Sequence, residues 1–258
     1  MKAVFDISNL SIHFGKKKVI DNLSLKIREN SITAIVGPSG CGKSTFLKSL
    51  NGLLELENKV LIDGEINFLG NDLFSKKRDM NLLRKNVAML FQNPGAFPFS
   101  IERNLDVAFD EWNEGSREEK NVIYKKLLKN VSLWDEIDGN LSLMADNLSG
   151  GQQQRLCLIR SLLTNPCTVL LDEPCSALDP ISTKAIERML LNLKKDKTIV
   201  IVTHDISQAK RLADDVIVMW PFSGSGRVVE HGSVDDIFNN PKSHITREYL
   251  NGEIPDTF

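Results

Sequence analysis

An α/β fold, in which helices flank a mostly parallel sheet, is predicted by three features of this sequence. First, the apolar run Thr168–Leu171 is of strand length and lacks polar alternation, the pattern of a strand buried on both faces. Second, strand and helix patterns alternate from there onward with the crossover lengths that parallel neighbours require. Third, the apolar run Ile32–Val36 meets a glycine-rich loop, Gly37 to Gly42, that leads straight into helical periodicity from Lys43 to Leu50.

In chain order, Ile12–Phe14 and Val19–Ile27 read as a hairpin closed by the basic turn Gly15–Lys18, because Ile20, Leu23, Leu25 and Ile27 alternate with polar neighbours. This predicts an antiparallel β subdomain at the amino terminus. After the strand–loop–helix unit, Glu65–Leu69 and Val87–Phe91 read as strands. Arg117–Leu133 has charge-rich helical spacing, with Val122, Ile123, Leu127 and Leu128 on one face. A helical insertion runs from about Asn93 to Asn165, where Pro166 closes a second helix. The β/α alternation resumes with strand Thr168–Leu171, helix Ile181–Lys194, strand Thr198–Val202, helix Ile206–Ala213 and strand Asp215–Trp220. Pro221 to Gly226 reads as a loop leading to Arg227–Glu230, and the tail is helical from Ser233 until Gly252, with frayed last residues. The expectation is one domain, 1–258, with residues 1–92 and 166–258 as core and 93–165 as a helical subdomain.

Composition narrows the function classes. In 258 residues, 32 basic side chains oppose 34 acidic ones for a net charge of -2, so neither nucleic acid nor an anionic membrane is the expected main partner, and any anion site is local. Met1 to Leu10 lacks the basic stretch and apolar run of a secretory signal. The most apolar runs, Thr198–Val202 and Val216–Trp220, fall far short of the ~18 residues of a membrane-spanning helix, so a soluble chain is expected. Cys41, Cys157, Cys167 and Cys175 show no paired metal-ligand spacing and read as reduced thiols of a cytosolic protein.

The chemistry sits in three segments. Gly37-Pro38-Ser39-Gly40-Cys41-Gly42-Lys43-Ser44 matches a phosphate-binding loop in the strand-to-helix context that the motif demands. Its glycines let backbone N–H groups converge on phosphates, Lys43 supplies a positive charge, and the Ser44 hydroxyl suits Mg²⁺. Val169-Leu170-Leu171-Asp172-Glu173 ends an apolar strand in two carboxylates, where parallel-sheet proteins hold ligands. Asp172 suits the metal, and Glu173 the polarisation of an attacking water. Leu148-Ser149-Gly150-Gly151-Gln152 exposes backbone donors at the start of a helix, a second phosphate site best used across a two-fold interface on a nucleotide held by a partner copy. Ser149 is equally an ordinary helix cap.

With these segments together, the sequence resembles the ATP-binding subunits of ABC transporters from Ser8 to about Leu250. The resemblance implies a P-loop NTPase core of ABC type, ATP and Mg²⁺ as cofactors, and nucleotide contacts from Gly37 to Thr45 and from Ser149 to Gln152. It further implies that Gln92 contacts metal and water, that His204 touches the terminal phosphate, that Asp179 in Ser176-Ala177-Leu178-Asp179 communicates across the dimer, and that Phe14 before Gly15 stacks on adenine. Each has a plainer reading, as turn residue, strand-end histidine, N-cap before Pro180 and core aromatic respectively.

Within that family, the stretches Leu148–Cys157 and Asp172–Thr183, together with Phe97-Pro98-Phe99-Ser100-Ile101 and Leu133-Trp134, look like the phosphate-import subunit. Cys157 and Cys175 read as packing residues. The connection Trp220–Arg227 is longer than in that subfamily, and Asp205 after His204 is shared with many importers. The implied partners are a second copy of the chain, integral membrane permease subunits and, indirectly, an extracytoplasmic phosphate-binding protein, with no nucleic acid. The implied location is the cytoplasmic face of the membrane. Importers of another solute, or a non-transport ABC regulator, remain as alternatives.

Overall fold

The computed structural model describes residues 2–75 and 78–253. Its strands are β1 (Ala3–Phe14), β2 (Lys17–Arg28), β3 (Ile32–Val36), β4 (Val60–Phe68), β5 (Asn71–Asp72), β6 (Val87–Leu90), β7 (Thr168–Asp172), β8 (Thr198–Val202), β9 (Asp215–Phe222) and β10 (Ser225–Ser233). The helices are α1 (Lys43–Ser49), α2 (Met80–Asn86), α3 (Ile101–Asp110), α4 (Arg117–Asn130), α5 (Gly150–Leu162), α6 (Pro180–Leu193), α7 (Ile206–Leu212), α8 (Val234–Asn239) and α9 (His244–Leu250).

Among the described residues the strands form one sheet in the order β5-β4-β1-β2-β10-β9-β3-β8-β7-β6. The β6-β7-β8-β3-β9 half is parallel throughout, and β1, β2, β4 and β5 pair antiparallel. The predicted antiparallel and parallel regions are therefore continuous, joined at β10, which pairs antiparallel with β9 and parallel with β2.

The two-residue period of the strands divides the interior into two cores. Ile32, Ala34 and Val36 of β3, Val169 and Leu171 of β7, and Ile199 and Ile201 of β8 face one way, toward α3, α5 and α6. Ile35, Leu170, Val200 and Val202 face the other, toward α1 and the β1–β2 hairpin. Burial on both faces explains the lack of polar alternation, and each such Val, Leu or Ile contributes roughly 1.5–3 kcal/mol.

Several element boundaries differ from expectation. The amino-terminal hairpin is longer, because β1 begins at Ala3; His13 and Phe14 pair with Lys18 and Lys17, so the lysines lie in the strand and not in the turn. The segment Pro221 to Gly226 is not a loop: Phe222 pairs with Ser225 across a two-residue turn, Ser223 and Gly224, both at positive φ. That hairpin brings Gly226 so close to the Cys41 carbonyl that no Cβ fits there, so β10 is a wall of the glycine-rich loop. Three helices, not two, lie between β6 and β7. On α4 the buried side chains are Tyr124 and Leu128, whereas Val122 is 69% exposed and Ile123 37%. Tyr124 takes the inward face because its ring packs edge-on against Phe109 while its hydroxyl donates to Asp106. The carboxy-terminal helix is broken in two around Pro241, which cannot continue it. The frayed end expected beyond residue 253 lies outside the described residues.

Candidate functional site

The site follows from strand order. β6, β7, β8 and β3 are neighbours in the parallel half of the sheet, so the segments leaving their carboxyl ends emerge in one row: Gln92 after β6, Asp172 and Glu173 at β7, His204 after β8, and the glycine-rich loop after β3.

The loop wraps its own lysine. Lys43 is 5% exposed, and its Nζ donates to the carbonyls of Gly37 and Pro38, each at 2.8 Å, and lies 3.9 Å from the Cys41 sulfur. The ammonium thus sits at the centre of the ring of peptides that Gly37 to Gly42 describe. Cys41 is fully buried, and burial pushes its thiol up, so it packs under the loop as an uncharged side chain. Ser44, next on α1, donates its hydroxyl to Asp172 Oδ1 at 3.0 Å.

Asp172 is 4% exposed, and burial, with Glu173 next to it, holds its carboxyl above the ordinary carboxylate range although Ser44 pulls the other way. A buried carboxylate oxygen beside a serine hydroxyl is an all-oxygen donor set that fits Mg²⁺, which prefers such ligands and keeps its remaining positions for water or phosphate. A folded-state pKa raised above the unfolded value means that the native chain binds the proton more tightly, so ionised Asp172 lowers stability as pH rises through the window above the usual carboxylate pKa. Asp172→Asn is therefore expected to raise the Tm of the nucleotide-free protein, by about 2–4 °C for each kcal/mol recovered, which calorimetry checks.

Glu173 has φ 51, the left-handed region that side chains other than glycine seldom enter, at a cost of about 1–2 kcal/mol. Four contacts hold it there: its N–H donates to the Val202 carbonyl at 3.0 Å, and its own carbonyl accepts from the Gln154 amide at 3.2 Å and from the Ser176 hydroxyl and N–H at 3.1 and 3.2 Å. The turn swings the carboxylate between its strand neighbours. Gln92 Nε2 donates to Oε2 at 2.9 Å, and His204 Nε2 lies 2.5 Å from Oε1. The backbone on either side of His204 is tied to α7 and α6. Thr203 donates to Gln208 at 2.8 Å, Asp205 N–H donates to Thr203, and Gln208 in turn donates to buried Glu187, which Arg211 also contacts at 2.7 Å.

The Ser149 segment stands apart. Ser149 caps α5 in a reciprocal box: its hydroxyl accepts from Gln152 N–H at 3.3 Å, and the Gln152 side chain accepts from Ser149 N–H at 3.0 Å. Beneath it, Arg155 is 3% exposed and forks onto Glu136 at 2.5 and 2.7 Å, which holds the Glu136 carboxyl below the usual range. Among the described residues no hydrogen bond joins Ser149, Gly150, Gly151 or Gln152 to the loop from Gly37 to Thr45; the N–H groups of Ser149 and Gln152 are spent inside the box, and Ser149 and Gly150 are exposed. Gly151 lies against Ala177 and Leu178, so the segment before Asp179 abuts the Ser149 helix start. Asp179 caps α6, accepting from the N–H groups of Ile181 and Ser182 and from the Ser182 hydroxyl; the Ser182 hydroxyl chiefly, and its N–H with it, hold the Asp179 carboxyl below the usual range. Phe14 is half-buried at the end of β1, opposite Lys17 and Val60, among the side chains that fringe the second core.

Gln154, Thr203 and Gln208 were not singled out by sequence reasoning. Gln154 lies inside the Gln152–Gln154 run, where no local pattern distinguishes the glutamine that reaches Glu173 from its neighbours. Cys157 is buried; Cys175 is packed at the edge of the first core, and burial pushes its thiol up to about 11.

Residues 20–176 match the family described as ABC transporter. The chain is 43% identical over 256 residues to "Phosphate import ATP-binding protein PstB" of Thermotoga maritima, covering 98% of this chain and 100% of that one. It is 44% identical to the protein of the same name from Mycoplasma mobile, covering 97% of this chain and 89% of the other. Among solved structures it superposes with a TM-score of 0.78 on "Structure of ATP binding subunit of ABC transporter", at 24% identity over 96% of this chain and 98% of that one. It also superposes on "Structure of a bacterial Atm1-family ABC exporter with ATP bound", with a TM-score of 0.82 at 22% identity; all of this chain corresponds to 43% of that longer one. These two likenesses speak to the fold.

Proposed function

Because this chain belongs to the ABC transporter family, we propose that it is the ATP-binding and ATP-hydrolysing subunit of an importer of inorganic phosphate. The observation that carries the reaction is the placement of Glu173 between Gln92 and His204, beside the Ser44–Asp172 pair and the Lys43 loop. The cargo reading is supported by near-full-length relatives named as phosphate import proteins.

In this reading the backbone donors from Gly37 to Thr45 and the Lys43 ammonium receive the triphosphate, and Lys43 exchanges its loop carbonyls for phosphate oxygens. Ser44, Asp172 and Gln92 are the residues that would hold Mg²⁺, which when bound neutralises charge on the phosphates. Glu173 accepts a proton from the attacking water at a carboxylate oxygen, for which the contact with His204 or Gln92 must open. His204 then turns toward the terminal phosphate. Phe14, half-buried at the end of β1, is the ring proposed to stack on adenine.

Ser149 and Gly150 are exposed and, among the described residues, make no hydrogen bond to the chain's own phosphate loop, which suits a nucleotide held by a second copy, with Asp179 next to that junction. Integral membrane subunits would dock on the segment after Gln92. There Phe91, Phe97 and Phe99 are 43%, 39% and 45% exposed, and Asn104 anchors the chain through Phe97 and Ser100. An open cleft of about 440 Å³ lies beneath, lined by Met89, Phe91, Pro94, Phe97 and Val107. Among the described residues no helix is long and apolar enough to cross a membrane, so attachment at the cytoplasmic face, through such partners, is the proposed location.

Deletion of the gene is expected to abolish growth on limiting phosphate and uptake of labelled phosphate, with restoration by the wild-type chain and none by a Glu173→Gln copy. Normal phosphate uptake in the deletion strain, with loss of uptake of another solute, would reassign the cargo and leave the ATPase untouched.

A further inference from the structure

The last described helix, α9, reaches back to the first motif of the chain. Tyr249 lies 212 positions from Gly37, yet its hydroxyl accepts a hydrogen bond from the Gly37 N–H at 3.1 Å. This amide marks the point where β3 becomes loop. Val36 is the last residue of β3 paired with β9, opposite Val218, and the next peptide leaves the ladder. The carbonyl of the same residue takes Lys43 Nζ at 2.8 Å. Gly37 has φ 146, and a Cβ on it would run into the Met219 carbonyl, so the peptide is pressed against β9 as well. Both polar groups of the first loop residue are therefore held, one by the loop's own lysine and the other by the carboxy-terminal helix.

Tyr249 is itself braced. Its ring meets Trp220 of β9 edge-on, with centroids 5.9 Å apart at 69°, and Trp220 is only 5% exposed. Burial raises the phenol above its ordinary range, so the hydroxyl keeps its proton and offers a neutral oxygen to the amide.

We propose that Tyr249 is a positioning residue of the phosphate loop: its hydroxyl fixes the Gly37 peptide, so that the loop is already shaped for a triphosphate before ATP arrives. The proposal rests on the ATP-binding reading given above. It touches no reacting atom, so its effect falls on binding. When only a fraction of molecules hold the competent loop, apparent affinity drops by that fraction, whereas saturating ATP restores the loop and the turnover with it. Loss of one neutral hydrogen bond to a buried amide corresponds to about a three- to tenfold change.

The test is Tyr249→Phe, which removes one oxygen and keeps the ring against Trp220. The expected result is a Kd and a KM for ATP raised about three- to tenfold, with kcat within about twofold of wild type. A variant that only melts earlier, with Kd and KM unchanged, would overturn the proposal, because a merely structural contact moves stability alone. Hydrogen exchange of the Gly37 amide provides a second reading on the unaltered protein: protection before ATP is added is expected, and free exchange there would also overturn it. A wild-type chain that failed to bind labelled ATP would instead count against the ATP-binding reading, and the Gly37 exchange would still judge the contact.

Discussion

Replacing Glu173 with glutamine is expected to leave ATP binding intact and to lower steady-state hydrolysis by about 10²- to 10⁴-fold, the range that a positioned general base supplies. The substitution is nearly isosteric. Its amide oxygen can still accept from Gln92 and its NH₂ still faces His204, so the row of side chains at the ends of β6, β7 and β8 survives. The left-handed turn at residue 173 rests on backbone contacts to Val202, Gln154 and Ser176, which the change does not touch. What disappears is the carboxylate's capacity to take a proton. Steady-state hydrolysis near the wild-type rate would remove Glu173 from this role; trapped ATP with lost turnover would support it.

Lys43→Ala is expected to weaken ATP binding by about 10- to 150-fold, since a charged hydrogen bond is worth roughly 1.5–3 kcal/mol and each 1.4 kcal/mol is a factor of ten. The structure adds a second cost. In the absence of nucleotide the ammonium satisfies the carbonyls of Gly37 and Pro38 from inside the loop, so alanine loses the phosphate charge and also the donor that shapes the loop. Titration with labelled ATP measures the loss. An unchanged Kd would contradict the assignment of Lys43 to the phosphates.

The two substitutions separate functions that the fold keeps apart. Lys43 and Ser44 begin α1 after β3, whereas Glu173 follows β7, and among the described residues only the Ser44–Asp172 hydrogen bond joins the two segments directly. A Glu173 variant should therefore retain the binding that a Lys43 variant loses.

The chemistry-bearing segments were legible in the sequence because each is contiguous. A phosphate loop needs its glycines, lysine and serine at fixed offsets, and two carboxylates at a strand end need nothing beyond the strand. Fully buried strands such as β7 and β8 were also legible, since burial on both faces removes the polar alternation from a short run. The inward face of α4 was not: Val122 and Ile123 have the apolar character of a core face, but the position that packs is set by Phe109 and Asp106, which reward Tyr124 with ring contact and a hydrogen bond together. The Pro221–Gly226 segment was misread for a related reason. Proline and glycine signal a loop locally, yet Pro221 is accommodated in the pairing of β9 with β10, close to the turn.

By itself the sequence determined that this chain carries a phosphate-binding loop, a carboxylate pair and a capped glycine turn on an α/β frame. The tertiary structure decided who stands beside whom. Gln92, Glu173 and His204 converge because β6, β7 and β8 are adjacent strands, and Tyr249 meets Gly37 because α9 folds back over β9 and β10. Local periodicity reports which face of an element is buried but carries no information on which other element covers it; that choice is made by the pairing of strands and the packing of whole faces, after the local patterns are already satisfied.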